Sequence, residues 1–299
     1  MLIRNLNIKN ILLTIRYGGE AMILEPKGMI ISPKQPYFVM GTSCYYKVVV
    51  MKYGISHFYC FKRDQTMKNS IKAIPDGCID ILFCCDEKEP YANVCGTVLQ
   101  PKLVLTEKTE YFFGVRFLPG NALKFKNATM SDFVEQEIPF LEVVEDKDLF
   151  DKITSSKDFN YQIQVFMDKY LKSYEFSQMK GLKKLMVSKI IESAGQIKVK
   201  ELAEDIGYSV RYINKMFSQQ FGLSPKLFCK LMRFQSLVKN LNGFEKNMFD
   251  ITLSEISTEL GYYDQSHMIK DFYEFTNTTP MKYIHSLQET EYEKRLIIL

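Results

Sequence analysis

Arg211, Asn214, Lys215 and Ser218 recur in the stretch SVRYINKMFSQQFGLSP, residues 209–225, at spacings that put them on one face of a helix. Arginine, asparagine and lysine on such a face can donate to guanine or pair with adenine edges, so the chemistry on offer is recognition of a DNA major groove. No carboxylate shares that face. Ile213, Met216, Phe217 and Phe221 take the other side, and an ordinary surface helix is the alternative reading of the same pattern. A second pair lies in strand-like runs. In YFFGVRFL, Arg116 shares a face with Phe112, Gly114 and Leu118, and in CIDILFC, Asp80 shares one with Cys78, Leu82 and Cys84. An arginine on a partly apolar face, beside a glycine that leaves room, can anchor an anionic effector, because guanidinium matches carboxylate and phosphate geometry. The other readings are a structural pair between Arg116 and Asp80, or an arginine facing solvent.

Bond-making chemistry finds little support. The three histidines, His57, His267 and His285, fall in unrelated patterns, and no Gly-rich phosphate loop, HExxH or GxSxG is present. The seven cysteines (44, 60, 78, 84, 85, 95 and 229) are an odd number without framework spacing, which implies reduced thiols. A structural zinc needs closely spaced thiolate pairs. The one close pair, Cys84-Cys85, points to opposite faces if the segment is a strand. Core cysteines, no metal, no cofactor and no enzymatic activity are therefore expected.

The elements that must position these residues are legible in outline. Ser209 is placed to cap a helix, Gly222 to stop it, and Ser224-Pro225 to begin the next. Residues 21–118 read as short β-branched and aromatic runs broken by Pro36, Gly41, Gly54, Pro75-Asp76-Gly77, Pro90, Gly96 and Pro119-Gly120. Many strands without intervening helices predict an antiparallel sandwich or barrel, with a cupin-like barrel among the candidates. Helical stretches come next, with the polar 154–160 as a candidate hinge, and from about residue 180 onward the chain reads as nearly all helix. The fold class is thus α+β. A β-rich effector or dimerisation domain is expected over 1–178 and an all-α domain over 179–299. Residues 1–20 fit a helix or an edge strand equally.

At 299 residues, 46% hydrophobic and 25% charged, the chain has material for two domains. A net charge of +4 does not by itself argue for a nucleic-acid partner, but its distribution does. Residues 206–244 hold six basic side chains (Arg211, Lys215, Lys226, Lys230, Arg233, Lys239) and no acidic one. No apolar run is long enough to span a bilayer and no signal-peptide core is evident, so a cytoplasmic protein is expected.

An internal repeat is the most informative feature. VKELAEDIGYSVRYINKMFSQQFGLSPKLF aligns with LSEISTELGYYDQSHMIKDFYEFTNTTPMKY, pairing Leu202 with Ile256, Gly207 with Gly261, Phe217 with Phe272, Phe221 with Phe275 and Pro225 with Pro280. The offset is 54 at the glycines and 55 at Phe217–Phe272 and Pro225–Pro280, so one residue has entered the turn; Phe221 and Phe275, 54 apart, match to within one position. Helix, glycine turn, second helix and Ser-Pro or Thr-Pro start is the grammar of a helix-turn-helix unit. The separator, residues 225–241, is itself a helix pattern, apolar over more than one face. It should hold both units at one distance and angle.

On these residues, about 197–283, the chain resembles the AraC/XylS-type bacterial transcription regulators, most specifically through GYYDQSHMIKDFYEFTNTTPMKY and through ELAEDIGYS with FSQQFGLSP. PDGCIDILF and GVRFLPGNA extend a weaker resemblance into the N-terminal part. The resemblance implies two helix-turn-helix units on a long helix, with the second helix of each entering successive major grooves. Arg211, Asn214 and Lys215 would then read bases in the first unit, and Gln265, Ser266 and Lys270 in the second. It also implies double-stranded promoter DNA as partner, with a small-molecule effector, a second copy of the chain and RNA polymerase as further candidates. Activation is commoner than repression in that family.

Asn277 stands where the family usually has glycine, a conservative change at a left-handed stop. Lys198 occupies a place where a capping side chain is usual, whereas Thr252 and Glu255 form a T-x-x-E box. Residues 245–274 carry seven carboxylates and two lysines, so the first unit should supply most of the affinity for a polyanion. Lys226, Lys230 and Lys239 are assigned either to phosphates or to keeping the helix solvated. The rival reading is a metal- or thiol-dependent enzyme or DNA-repair protein that carries such a domain.

Overall fold

The computed structural model describes residues 33–63, 71–104, 111–177, 181–243 and 252–299. Residues 1–20 and the domain border set between 178 and 179 lie outside the described residues. After helix α1, Pro36–Met40, come β1 (Thr42–Lys52), β2 (Ile55–Arg63), β3 (Lys72–Ala73), β4 (Asp80–Cys84), β5 (Tyr91–Cys95), β6 (Lys102–Leu103), β7 (Tyr111–Phe117) and β8 (Glu137–Pro139). One large sheet runs β8-β5-β4-β7-β2-β1 with antiparallel neighbours, while β3 and β6 form a separate two-stranded ribbon. Among the described residues the β-rich region is thus one wide sheet and a two-stranded ribbon.

Period-2 alternation sorts the sheet's side chains onto two faces. Ile79, Ile81, Phe83, Phe113, Val115 and Phe117 are buried on one of them. The cover there comes from α2 (Phe140–Val143), α3 (Lys147–Thr154) and α4 (Phe159–Ser177). Aromatic rings join the layers: Phe83 to Phe140 at 5.2 Å, Phe58 to Phe166 at 5.7 Å, Phe117 to Tyr170 at 5.9 Å and Phe113 to Phe159 at 6.0 Å between centroids. The polar 154–160 segment, expected as a hinge, is the turn between α3 and α4, which pack in the same core.

The opposite face carries Tyr45, Tyr59, Phe61 and Phe112, with ring centroids 5.4 Å apart for Tyr45 and Tyr59 and 5.0 Å for Phe61 and Phe112. These residues belong to the same buried cluster as the C-terminal helices, so one core is shared by the sheet and those helices. The helices are α5 (Gly181–Glu192), α6 (Val199–Ile206), α7 (Val210–Phe221), α8 (Pro225–Gly243), α9 (Leu253–Glu259), α10 (Gln265–Thr276), α11 (Pro280–Glu289) and α12 (Tyr292–Arg295). The chain then returns: β9, Leu296–Ile298, lies parallel to β1 and becomes the seventh strand of the sheet. The expected all-α region therefore ends on the β domain. Arg295 fastens the junction by donating to the Met40 and Thr42 carbonyls at 3.3 and 3.0 Å.

Candidate nucleic-acid interface

Helix α8 is the part on which both units are mounted. Ser224 starts it by accepting the Leu227 N–H at 3.1 Å, and Phe228, Leu231, Met232, Phe234, Gln235, Leu237, Val238 and Leu241 are all buried. Burial around so much of the circumference needs neighbours on several sides. Phe228 meets Phe217 of α7 at 5.2 Å, and Phe234 meets Phe275 of α10 at 4.9 Å. Polar contacts tie the units further, with Gln196 donating to the Glu259 carbonyl at 3.1 Å and Arg233 to that of Gly261 at 3.2 Å.

In the first unit, Ser209 caps α7 through the Tyr212 N–H at 3.2 Å. Ile213, Phe217 and Phe221 are buried, which turns Arg211, Lys215 and Ser218 to solvent as the spacing predicts. Asn214 departs from that expectation. It borders the buried stripe, is half-buried, and donates its amide to the Val210 carbonyl at 2.9 Å. Two outward residues have no place in the sequence-based face: Tyr212, 39% exposed with its ring stacked on Tyr208 at 4.8 Å, and Gln219. The signal for them is spacing, since 212, 215 and 219 follow i, i+3, i+7, but an aromatic type suggests core.

The second unit is begun more firmly. Thr252 accepts the Glu255 N–H at 3.2 Å while the Glu255 carboxylate takes the Thr252 N–H at 2.6 Å. Asp264 caps α10 by accepting the His267 N–H at 2.7 Å, and Asn277 ends it in the left-handed region at φ 56°. Met268, Phe272 and Phe275 face inward, and Gln265, Ser266 and Lys270 are exposed. Tyr273 and Glu274 share the exposed side. Lys230, a candidate for phosphate contact, instead bridges α8 to α10, with Nζ 2.9 Å from Glu274, 3.3 Å from Asp271 and 4.8 Å from the Phe275 ring centroid. Lys226 and Lys239 are exposed.

The other candidate residues meet in a cavity of about 60 Å³ between the sheet and the β3–β6 ribbon, lined in part by Phe38, Tyr59, Ile74, Asp76, Asp80 and Arg116. Asp80 and Arg116 are direct cross-strand partners on β4 and β7. Arg116 Nε donates to Asp80 at 2.7 Å, a second guanidinium nitrogen reaches the same carboxylate, and the third lies 3.1 Å from Asp76. All three guanidinium nitrogens thus face carboxylates, which fits the structural pair and not an anchor for an anion. The room expected beside Gly114 is filled: a Cβ there would sit 2.1 Å from the Tyr59 ring, whose hydroxyl donates to Asp80 at 3.1 Å. Asp76 leaves no signal in the strand patterns, because it arrives from the Pro75-Asp76-Gly77 turn and no face includes it.

Burial dominates the titration of this neighbourhood. It raises the Asp76 carboxyl above its ordinary range, against the pull of Arg116, and holds His57 neutral by pushing it well below 6.5. It also lowers Lys47 to about 7, helped by Lys34 and Arg116. Burial pushes the Cys60 thiol up to about 12, and Cys85 and Cys229 up to about 11. Such thiols stay protonated and are poor nucleophiles, which counts against thiol chemistry. Among the described residues no group of three or more His, Cys, Asp or Glu is placed to hold a metal ion, and no helix is long and apolar enough to cross a membrane.

Two family models match the sequence: a helix-turn-helix domain over residues 202–286, and a domain of unknown function (DUF6597) over 51–139. Among curated proteins no sequence relative is found. Solved structures of ToxT from Vibrio cholerae are loosely similar. A 1.65 Å structure is 9% identical, covers 77% of this chain and 97% of its own, and has a TM-score of 0.42. Wild-type ToxT bound to unsaturated fatty acid is 11% identical, covers 83% of this chain and 95% of its own, and has a TM-score of 0.38. Likeness at that level says nothing about individual residues. Two helix-turn-helix units on one shared helix, within the matched residues 202–286, make the C-terminal region an AraC-type helix-turn-helix domain, the DNA-binding part of a transcription regulator.

Proposed function

We propose that the protein reads two successive major-groove segments of double-stranded DNA, α7 entering one and α10 the next, and that the N-terminal cavity governs how the pair is presented. The observation that carries this reading is the repeat of one outward position. Lys215 and Lys270 correspond across the two units, and each stands exposed on a helix whose other side packs against α8. Arg211, Lys215 and Ser218 are the proposed contacts of the first unit, and Gln265, Ser266 and Lys270 those of the second. Tyr212 and Gln219 extend the first face. Asn214 would have to leave Val210 before reading an adenine edge, so its contribution is smaller than its residue type suggests.

Responsiveness to an effector rests on the cavity around Asp76, Asp80 and Arg116. Its size suits a molecule of a few heavy atoms, since one water needs roughly 10–15 Å³ of such space. The arrangement of carboxylates around the single guanidinium favours a neutral or cationic molecule over an anion. Selection of bound fragments from genomic DNA with the full chain tests the reading. Recovered fragments are expected to share two short elements spaced by about 10 base pairs. Recovery of fragments with no shared element would overturn it.

A further inference from the structure

The Pro75-Asp76-Gly77 turn lies between the cavity and the DNA-binding region, and a second segment, residues 34–35, runs beside it. Each segment turns one residue toward the cavity and gives the neighbouring residue's backbone to α8. On the cavity side, the Gln35 carboxamide accepts the Ile74 N–H at 2.9 Å and donates to the Ile74 carbonyl at 2.6 Å and to Asp76 at 2.9 Å. Asp76 in turn faces Arg116 at 3.1 Å. On the other side, Gln235 of α8 accepts the Lys34 N–H at 2.8 Å and donates to the Pro75 carbonyl at 2.8 Å. Gly77 completes the contact. A Cβ there would stand 3.0 Å from Phe228 and 3.2 Å from Met232, and its φ of +72° is one that L side chains rarely adopt.

Gln235 is fully buried among apolar neighbours that include Leu231, Met232 and Val238, where a methionine of similar length would pack. What the carboxamide adds is directional. Both of its ends are satisfied by backbone groups of the β region, and displacement of either segment leaves a buried polar group unpaired. Helix α8 also sets the separation of α7 and α10 through Phe228 and Phe234. We infer that Gln235 is the positioning residue through which the state of the Asp76–Arg116 cavity reaches α8, and with it both DNA-facing helices. The inference rests on the reading of the protein as a DNA-binding regulator. A ligand that claims Asp76 or Gln35 loosens the brace between the two segments, and α8 loses the seat that holds both units in register.

A double-mutant cycle in the full chain tests it, with affinity measured on a fragment recovered by the genomic selection. Asp76→Asn is expected to lower DNA affinity fivefold or more when Gln235 is present, and less than twofold in the Gln235→Met background. The same fold-change in both backgrounds, or no change in either, would overturn the inference. Gln35→Met is the second perturbation from the cavity side and should follow the same pattern. If Gln235→Met does not fold, amide exchange decides: Asp76→Asn should speed exchange along residues 228–238, and unchanged exchange there would overturn the inference. A full chain that binds no fragment defeats the DNA-binding reading itself, an outcome distinct from an additive cycle.

Discussion

The two helix-turn-helix units share what they turn inward and differ in what they turn outward. Phe217 and Phe272 hold corresponding places, Phe221 and Phe275 follow them by four and three residues, and all four are buried in one cluster with α8. Outward, α7 presents Arg211, Tyr212, Lys215 and Gln219, whereas α10 presents Ser266, His267, Lys270, Tyr273 and Glu274. Lysine is the one type kept at matching outward positions in these two sets. Seating on α8 depends on apolar shape, which both units must satisfy. The sign of the outer face is free of that constraint and has diverged. The starts differ too: Glu201 takes the Lys198 N–H at 3.1 Å in the first unit, without the reciprocal bond that Thr252 makes in the second.

The largest effect should come from breaking what the units share. Gly195 lies at φ +76°, and a Cβ there would stand 2.1 Å from the Cys229 carbonyl oxygen and 2.9 Å from the Arg233 nitrogen, both on α8. Gly195→Ala is expected to cost about 3 kcal/mol or more in denaturant unfolding. A loss below about 1 kcal/mol would show that the close approach is dispensable. DNA affinity tests the outward difference. Arg211→Ala and Lys215→Ala should each cost about 1–3 kcal/mol at physiological salt, and Lys270→Ala less. A greater loss for Lys270→Ala would reverse the proposed division of labour. The helix starts give the smallest effects: Thr252→Ala should lose about 1 kcal/mol of stability, and Lys198→Ser should gain about 0.5 kcal/mol. Equal responses at the two sites would remove the capping contrast.

Local signals carried well from sequence to structure. Ser209, Thr252 and Asn277 act at the helix ends their types suggest, and of the readings left open for Arg116 the pair with Asp80 is the one present. Contacts joining distant segments did not carry. Asp76 reaches Arg116 from a turn, Lys230 finds its carboxylates on another helix, and Leu296–Ile298 pairs with a strand some 250 residues earlier. None of these leaves a periodic trace, because periodicity records which side of an element is buried and not what buries it. Tyr212 is the converse case: its spacing from Lys215 and Gln219 is informative, and the sequence-based face omits it. The first-unit residues proposed to touch DNA follow from outward spacing and residue type, and Gln265, Ser266 and Lys270 from the family resemblance of the second unit, with exposure added by the structure.

The return of the chain to β1 changes the mechanics of any signal passed between the two regions. A module joined to its neighbour at one end can swing through a cone. Here the helical module shares a buried core with the sheet and finishes on β9, whose Leu296 and Ile298 register with Tyr45 and Lys47. A module held by a shared core, by the two bonds of Gln235 and by a strand has no free swing. Moving it as a body against the sheet would mean peeling β9 from the sheet edge and unpairing Gln235, so a signal that spares those contacts has to act through small shifts at α8.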